Sequence, residues 1–399
     1  MKNRRWLLGL SISLLIGAIA DQVCQYTVLS DGTLFGRRLA PFDPPLFNSQ
    51  QKSNRDRFES SLRTGIPRQA GFRFDDLLGW CPPRDDVWAG MQFDWAGGRV
   101  GDQPLSNPRR EDLSRVVAMG CSMTLGYEVE DREGWVARLD QGDPSTEFAN
   151  LAVPAYGVDQ ALLRFRRDGA VLEPDEVWLG WLPAASLRLG GLYRPAQRHW
   201  CPSAMFKPRF RIASDGELTE IPPPATSVTE ALRLLTDQEA FLAKTGEDDM
   251  WVARAPLAYG AAGSHVLHYT ALGRLLLTAH EWSGRDHVGL LTDHESEIHR
   301  LLIEVVDTLA RESEAIGARF RLVVLPDRSD LAAGRVDERP YWHAVTDELT
   351  SRGIEVLDCV PGMLAGGALE RDDCWAPGGH YSAAGNQLVA DTLSALLER

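Results

Sequence analysis

The fold is decided by the stretch Val116-Val117-Ala118-Met119-Gly120-Cys121-Ser122-Met123-Thr124-Leu125-Gly126. Its first four residues are apolar and predict a buried strand, and the glycine-flanked Ser122 follows where that strand breaks into a turn. Such a turn holds a hydroxyl at the carboxyl edge of a sheet, where open α/β folds build their sites. Ser122 is therefore a candidate nucleophile.

A second informative stretch lies near the C-terminus and reads Gly378-Gly379-His380-Tyr381-Ser382-Ala383-Ala384-Gly385-Asn386. It opens the last predicted helix, which Ser382 is suited to cap. A serine after an early strand and a histidine on the last loop suggest a nucleophile and its general base. His380 is the candidate base.

Strand and helix patterns alternate between and around these two stretches. Alternation with short connections predicts a mainly parallel sheet covered by helices on both faces, which is a three-layer α/β/α, flavodoxin-like fold. The predicted strands cover residues 115–119, 147–151, 176–180, 320–325 and 353–358, and the predicted helices cover residues 131–139, 159–172, 294–316, 342–352 and 382–397.

Composition and pattern divide the chain into three parts. Residues 1–25 are predicted to be a signal peptide or membrane anchor, residues 26–112 a loop-rich N-terminal extension, and residues 113–399 the α/β domain. An insertion at about residues 190–290 interrupts the alternation, and an insertion of this size beside a site usually shapes substrate access. Within it we expect a hairpin at 209–218 and helices at 228–243 and 268–282.

The N-terminus has the pattern of a targeting segment. A basic stretch precedes Trp6–Ala20, which carries no charge and spans ~22 Å as a helix, short of the ~30 Å hydrocarbon core of a bilayer. Ala18-Ile19-Ala20 resembles a cleavage site and favours a signal peptide, while an uncleaved anchor continuing through Val23 is the alternative. Both interpretations predict an exported protein, either membrane-anchored outside the cytoplasm, as in the periplasm, or secreted after cleavage.

Charge and cysteine usage narrow the range of partners. The net charge of −14, from 42 basic and 56 acidic residues, argues against nucleic acid as the principal partner. The six cysteines have no metal-binding spacing, and Cys81 with Cys201 is one candidate disulfide pair. His294 and His299 would diverge by ~140° on a shared helix, so they do not predict a metal site. We predict no metal and no organic cofactor.

Four blocks of the sequence, in this order, resemble the SGNH/GDSL hydrolase superfamily. They are residues 120–126, the acidic and tryptophan-containing run 129–139, residues 150–160 and residues 380–386. A membrane-anchored bacterial subgroup is also resembled at Gly79-Trp80, Arg188, Tyr193-Arg194-Pro195 and Lys207-Pro208-Arg209-Phe210. The resemblance implies an α/β/α fold in which Ser122 attacks an ester carbonyl and His380 accepts its proton. It also implies an oxyanion hole built from the Ser122 N–H, the Gly157 N–H and an asparagine side chain.

The sequence departs from the family pattern at three points. Cys121 stands where the family has an aspartate, and residues 180–188, where the family pattern places an asparagine, contain none. The resemblance implies an acidic residue a few positions before His380, but residues 377–379 are Pro, Gly and Gly. Asp373 is the acid predicted on spacing, and a serine–histidine dyad is the alternative.

These observations predict a serine-dependent esterase or O-acyltransferase. The expected substrate is an acylated small molecule or polysaccharide. The predicted location outside the cytoplasm and the aromatic content favour an acylated carbohydrate of the cell envelope. Arg188 is a candidate substrate-binding residue, with a structural ion pair as the alternative. A catalytically impaired relative that binds glycan or assists assembly is the competing hypothesis, because a missing oxyanion donor and a missing near acid both weaken catalysis.

Overall fold

The computed structural model describes most of the chain, and the described residues form two compact units. The larger unit contains Gly71–Gly190, Lys207–Pro223 and His287–Arg399, and the smaller contains Met1–Ala70, Gly191–Phe206 and Pro224–Asp286. The described residues are 2–27, 33–34, 37–40, 56–57, 59–60, 68–69, 72–198, 201, 205–257, 259–260, 263, 266–283 and 286–398.

A five-stranded sheet forms the centre of the larger unit. Its spatial order is β5-β4-β3-β1-β2, and every neighbouring pair is parallel. All of β1 after its first residue is buried, as expected for a strand covered on both faces. In chain order the strands are β1 (Ser114–Gly120), β2 (Thr146–Asn150), β3 (Glu176–Trp181), β4 (Arg319–Val324) and β5 (Glu355–Asp358).

The strand order reverses direction beside β1. The chain passes from β1 to β2 on one side and then returns to β3 on the other side. In open α/β sheets, ligands bind outside the carboxyl ends of the strands at such a switch point. Ser122 follows β1 directly at this edge.

Helices cover the sheet in two groups. Helices α2, α8 and α9 pack in one group, and helices α3, α5 and α7 pack in the other. The predicted three-layer α/β/α fold with a parallel sheet is confirmed by this arrangement. The helices are α1 (Ser122–Leu125), α2 (Trp135–Gly142), α3 (Val158–Arg164), α4 (His287–Thr292), α5 (Glu297–Ala315), α6 (Arg328–Val336), α7 (His343–Ser351), α8 (Val360–Ala365) and α9 (Ala383–Leu397).

The long helix predicted at 294–316 begins three residues later, at Glu297. The Ser296 side chain accepts a hydrogen bond from the His299 N–H and caps the helix there. His294 therefore lies in the turn before α5, and the two histidines do not lie on one helix. The sequence argument that put their side chains on diverging faces was wrong for this reason.

Two other predicted helices are divided. The segment predicted at 159–172 is α-helical in α3, then forms a π-helical turn at Phe165–Gly169 and a 3-10 turn at Ala170–Leu172. The segment predicted at 131–139 is a 3-10 turn at Asp131–Glu133 followed by α2. Further 3-10 segments lie at Pro183–Gly190 and Asp372–Cys374.

Short antiparallel pairs complete the larger unit. The hairpin predicted around Asp215-Gly216 is confirmed by the third of them. The pairs are Phe72–Asp75 with Gly79–Cys81, Asp86–Trp88 with Met91–Phe93, and Arg209–Ile212 with Leu218–Ile221.

The smaller unit is mainly helical. The helix predicted at 228–243 is two helices, because the Asp237 side chain accepts the Ala240 N–H and starts a new one. The described elements of this unit are helices Lys2–Thr27, Arg194–Gln197, Val228–Leu234, Gln238–Thr245, Met250–Ala253 and Ala271–Ser283, the 3-10 turn Val266–Tyr269, and strands Thr33–Leu34, Arg37–Arg38 and Arg68–Gln69.

Two further expectations from the sequence concern a membrane-spanning segment and a disulfide. Among the described residues, no helix combines the length and the apolar character that crossing a bilayer requires. All six cysteines lie in the described ranges, but Cys81 and Cys201 belong to different units, so their candidate pairing stays a prediction.

Candidate active site

The turn after β1 places Ser122 at the edge of the sheet. Gly120 has a φ of +149°, and a Cβ added there would lie 2.3 Å from Thr124 Oγ1 and 2.7 Å from the Gly180 carbonyl oxygen. Only glycine fits this close approach. The chain then enters α1 through Cys121, and the side chain of Ser122, its first residue, remains close to the surface while 8% of the residue is exposed.

A tight hairpin presents His380. Trp375 and Tyr381 form an antiparallel bridge, and the Ala376 N–H donates to the His380 carbonyl oxygen at 2.8 Å. The Tyr381 hydroxyl donates to the Pro326 carbonyl oxygen at 2.6 Å, just beyond β4. These bonds attach the histidine hairpin to the carboxyl end of the sheet.

Ser122, His380 and a glutamate form a continuous hydrogen-bonded relay. Ser122 Oγ lies 2.9 Å from His380 Nε2, and His380 Nδ1 lies 2.5 Å from Glu128 Oε2. The other carboxylate oxygen, Oε1, accepts the Gly378 N–H at 2.8 Å. An ionised carboxylate only accepts hydrogen bonds, so the proton of a neutral imidazole sits on Nδ1 and Nε2 accepts the serine hydroxyl proton.

The acid at His380 is thus Glu128 and not the predicted Asp373. Both oxygens of Asp373 accept from Arg371, at 3.1 and 2.9 Å, and its side chain is 65% exposed. The 3-10 turn that carries Asp373 precedes the hairpin, and the hairpin turns the His380 ring toward the loop after α1. The dyad alternative also does not describe the geometry, because a carboxylate occupies Nδ1.

Glu128 was missed because the family resemblance directs the search to residues just before the histidine. It lies six residues after Ser122, between the first block, residues 120–126, and the run 129–139. Its φ of +71° is unusual for a residue with a side chain. A glutamate held in this conformation between the first block and the following acidic turn was the available signal.

The surroundings keep Glu128 ionised. Burial raises the pKa of its carboxyl. The hydrogen bonds from His380 and the Gly378 N–H and the charge interaction with His380 lower that pKa by a larger amount. The pKa of Glu128 therefore lies below the ordinary value of 4.5. Tyr127 meets the His380 ring edge-on, with ring centroids 5.2 Å apart, and Trp88 stacks on Tyr127. Tyr127 therefore packs against the imidazole, which is 23% exposed, and Trp88 packs behind Tyr127.

Two buried side chains connect the serine turn to the histidine hairpin. Asn386 in α9 accepts the Trp135 N–H at 3.0 Å and donates to the Tyr381 carbonyl oxygen at 3.1 Å. The Trp135 indole N–H in turn donates to the Met123 carbonyl oxygen at 3.2 Å. This chain of bonds fixes α1 and the histidine hairpin against one another.

Gly157 lies at the start of α3, and its N–H is already engaged. It donates to Gln160 Oε1 at 3.1 Å. A Cβ at this position would lie 2.3 Å from Asp159 Oδ1, and Asp159 is itself held in a fully buried ion pair with Lys207. This close approach explains why a glycine is needed here. The Gly157 N–H, which was predicted to belong to the oxyanion hole, donates instead to the side-chain amide of Gln160.

Arg188 is beside Gly157. Its Nη1 donates to the Tyr156 carbonyl oxygen at 2.6 Å, and its Cβ would lie 3.2 Å from a Cβ at Gly157. Within the described part of the chain, no carboxylate lies within 4 Å of this guanidinium, so the ion-pair alternative finds no support among those residues. Its remaining N–H groups are available to a ligand.

A small cavity opens at the carboxyl ends of β1 and β3. Its volume is about 10 Å³, roughly the space of one water molecule. Its walls are apolar side chains and backbone, and Cys121, the residue before Ser122, is among them. The lining residues are Gly120, Cys121, Tyr156, Gly157, Val158, Ala161, Leu179, Gly180, Trp181, Leu182 and Ala185.

Comparisons with known proteins return solved structures only. No family model and no curated protein matches the chain. The chain is similar to a putative lipolytic protein of the G-D-S-L family from Desulfitobacterium hafniense, with 14% identity over 71% of this chain and 99% of that one, at a TM-score of 0.34. It is similar to a GDSL-like lipase from Bacteroides thetaiotaomicron, with 13% identity over 74% and 92% of the two chains, at a TM-score of 0.34.

A third similar structure is a two-domain esterase active on acetylated mannans, co-crystallised with mannopentaose. The identity is 11% over 72% of this chain and 49% of that one, at a TM-score of 0.36. TM-scores this low do not establish a reaction or a substrate.

Proposed function

We propose that the protein is a serine-dependent esterase or O-acyltransferase that uses Ser122, His380 and Glu128. The observation that carries the proposal is the unbroken relay of 2.9 Å and 2.5 Å from the serine hydroxyl through the imidazole to the carboxylate. Nucleophile, base and orienting acid within hydrogen-bond reach are the signature of nucleophilic acyl transfer.

The relay performs the first half-reaction as follows. His380 Nε2 removes the Ser122 hydroxyl proton while Oγ bonds to the ester carbonyl carbon, and the carbonyl oxygen becomes an oxyanion. Glu128 keeps the imidazole in the required tautomer and stabilises the imidazolium. The imidazolium then gives its proton to the departing alcohol, which leaves an acyl-serine. Water or an acceptor hydroxyl attacks this acyl group by the same steps in reverse.

Oxyanion stabilisation relies on fewer donors than the family resemblance implied. The Ser122 N–H opens α1, and N–H groups in the first turn of a helix have no intrahelical acceptor. We propose that Arg188 supplies the charge that the missing asparagine does not, because its guanidinium lies beside Gly157 and faces no carboxylate among the described residues. Loss of one such donor typically costs about 10²–10³ in kcat.

We propose a short acyl group, such as acetyl, on a carbohydrate as the substrate. The cavity next to Cys121 has room for little more than one small group, which supports a short acyl chain. The basic and apolar N-terminal pattern supports an exported protein whose substrate belongs to the cell envelope. N-terminal membrane association remains part of this proposal.

The test is hydrolysis of p-nitrophenyl esters of increasing acyl length by wild type and Ser122→Ala. Wild type should hydrolyse p-nitrophenyl acetate faster than p-nitrophenyl octanoate. Ser122→Ala should lose at least about 10³-fold in kcat/KM. Equal rates for the two proteins would overturn the proposal. Glycan binding that survives Ser122→Ala with no acyl turnover in wild type would favour the competing hypothesis of a non-catalytic binding protein, which the engaged Gly157 N–H supports.

A further inference from the structure

A second cluster of titratable side chains lies in the larger unit and shares no residue with the relay. It consists of His294, His299 and Glu348, whose ligand atoms all lie within 4.8 Å of one another. His299 Nε2 is 3.0 Å from Glu348 Oε2, and His294 Nδ1 is 3.3 Å from the same oxygen. Three ligand atoms that metals favour therefore lie close together.

The start of α5 brings the two histidines together. Ser296 caps the helix, so His294 sits in the preceding turn and its ring folds back over the first turn of α5. The centroids of the His294 and His299 rings are 4.5 Å apart. Glu348 comes from α7, so the cluster joins two helices and the turn between α4 and α5.

The buried histidine is oriented as a metal ligand is. His299 is 1% exposed, and its Nδ1 lies 2.6 Å from the Leu291 carbonyl oxygen. A carbonyl only accepts, so Nδ1 carries a proton, and Nε2 is the ring atom left to coordinate an ion placed between His294 and Glu348. A backbone acceptor on the far nitrogen is the usual partner of a metal-binding imidazole.

The carboxylate is held in place as well. Arg352 Nη2 donates to Glu348 Oε1 at 3.1 Å, which leaves Oε2 directed at the histidines. Arg352 is itself anchored, because its Nη1 lies 2.9 Å from Glu304 Oε1. Glu348 is therefore positioned before any ligand arrives.

We infer that His294, His299 and Glu348 bind a divalent transition metal ion of the zinc class. Tetrahedral coordination at about 2.0–2.1 Å separates ligand atoms by about 3.3 Å, which matches the spacing of Oε2 from the two nitrogens. Two imidazoles and one carboxylate are a zinc-type ligand set that leaves one position for water. A cavity of about 230 Å³ beside the cluster gives that water and the ion a route from solvent.

Binding at this position has a structural consequence. The ion connects the N-terminal end of α5 and the turn before it to α7, so it stabilises the folded state over the unfolded chain. The cavity is lined by residues of the 209–221 hairpin, α5 and α7, and Ser122, Glu128 and His380 are absent from its lining. The site does not depend on the proposed ester chemistry.

The experiment is a titration of the tag-free full-length protein with Zn²⁺ by calorimetry, and with Co²⁺ by visible absorption. We expect one equivalent to bind, a Co²⁺ spectrum in the region typical of four-coordinate sites, and a Tm that rises with zinc and falls with EDTA. His294→Ala removes a ligand whose side chain is 61% exposed, and Glu348→Gln keeps the shape of the side chain. Each should weaken Zn²⁺ binding by at least about tenfold.

His343→Ala is the matched control, since it removes a histidine from the same helix that carries Glu348. It should bind zinc as wild type does. Absence of saturable binding to the wild type would overturn the inference. So would unchanged binding in both His294→Ala and Glu348→Gln once circular dichroism has confirmed that they fold, because the ion would then lie elsewhere.

Discussion

Two histidine–glutamate pairs in the same unit differ in how they meet solvent. His380 with Glu128 lies at the edge of the sheet, and both side chains are 23% exposed. His299 with Glu348 lies where α5 meets α7, and His299 is 1% exposed. Both members of the first pair are partly exposed, whereas in the second pair the histidine is buried and only Glu348, which is 30% exposed, reaches solvent.

The pairs also differ in which ring nitrogen faces the carboxylate. In His380 the carboxylate faces Nδ1, which leaves Nε2 as a proton acceptor for Ser122. In His299 a backbone carbonyl faces Nδ1, and the carboxylate shares the space in front of Nε2. The first arrangement supports the proposed general base, and the second supports the proposed pair of metal ligands.

The largest effect that separates the two pairs is expected from His380→Ala. Hydrolysis of p-nitrophenyl acetate should fall by about 10³–10⁴-fold or more, because no other group within the relay can take the serine proton. Zinc titration of the same variant should match wild type. A parallel loss of zinc binding would break the distinction between the pairs, and His343→Ala is the control for removal of a histidine as such.

The second prediction concerns the identity of the acid. Glu128→Gln should lower kcat by about 10²–10⁴-fold, because an amide can donate to Nδ1 and favour the wrong tautomer. Asp373→Asn should stay within about twofold of wild type, since Asp373 is paired with Arg371 at the surface. Steady-state kinetics of both variants decide the matter. The reverse order of effects would restore Asp373 as the acid.

A third, smaller effect is expected from Gly378→Ala. A Cβ at this position would lie 2.3 Å from Glu128 Oε2, so the carboxylate must move away from the imidazole. A displacement of about 1 Å can cost about 10²-fold in rate, and we expect a loss of about 10–100-fold in kcat. Gly142→Ala is the matched control, because a Cβ there meets nothing within 4 Å. Equal kinetics for the two variants would show that the carboxylate is not held by this contact.

The smallest predicted effect is on stability against pH. The pKa of Glu128 is lowered on folding, so its ionised form stabilises the folded state above about pH 4.5, and this contribution is lost as the pH falls through the lower folded-state value. The difference in unfolding free energy between wild type and Glu128→Gln should therefore shrink below pH 4.5. Urea unfolding at several pH values measures it, and a difference that grows in acid would contradict the lowered pKa.

The sheet was predictable from sequence because its strands are buried on both faces. Continuous apolar runs such as Val116–Met119 and Leu322–Leu325 mark them regardless of tertiary detail. The capping role of Ser382 was also predictable, because a helix cap depends on residues close in sequence. It is confirmed by the hydrogen bond that the Ser382 side chain accepts from the Gly385 N–H. The positions of Ser122 and His380 followed from the turns at the ends of such elements.

The acid and the second histidine cluster were not predictable by the same means. Glu128 reaches His380 only through the tertiary placement of the hairpin, and its spacing in sequence departs from the family resemblance. The pairing of His294 with His299 depends on where α5 begins, and one capping serine, Ser296, shifts that start by three residues. Boundaries of helices, unlike their existence, are set by single hydrogen bonds.

The short stretch from Gly120 to Glu128 carries both the attacking oxygen and the group that orients the imidazole. Local backbone geometry alone keeps those two a fixed distance apart, so the assembly of the site depends on a single long-range event, the docking of the C-terminal hairpin with α9. During refolding, the rate at which ester hydrolysis recovers should therefore equal the rate at which the C-terminal hairpin and α9 dock. Fluorescence of tryptophans buried elsewhere in the sheet can recover earlier.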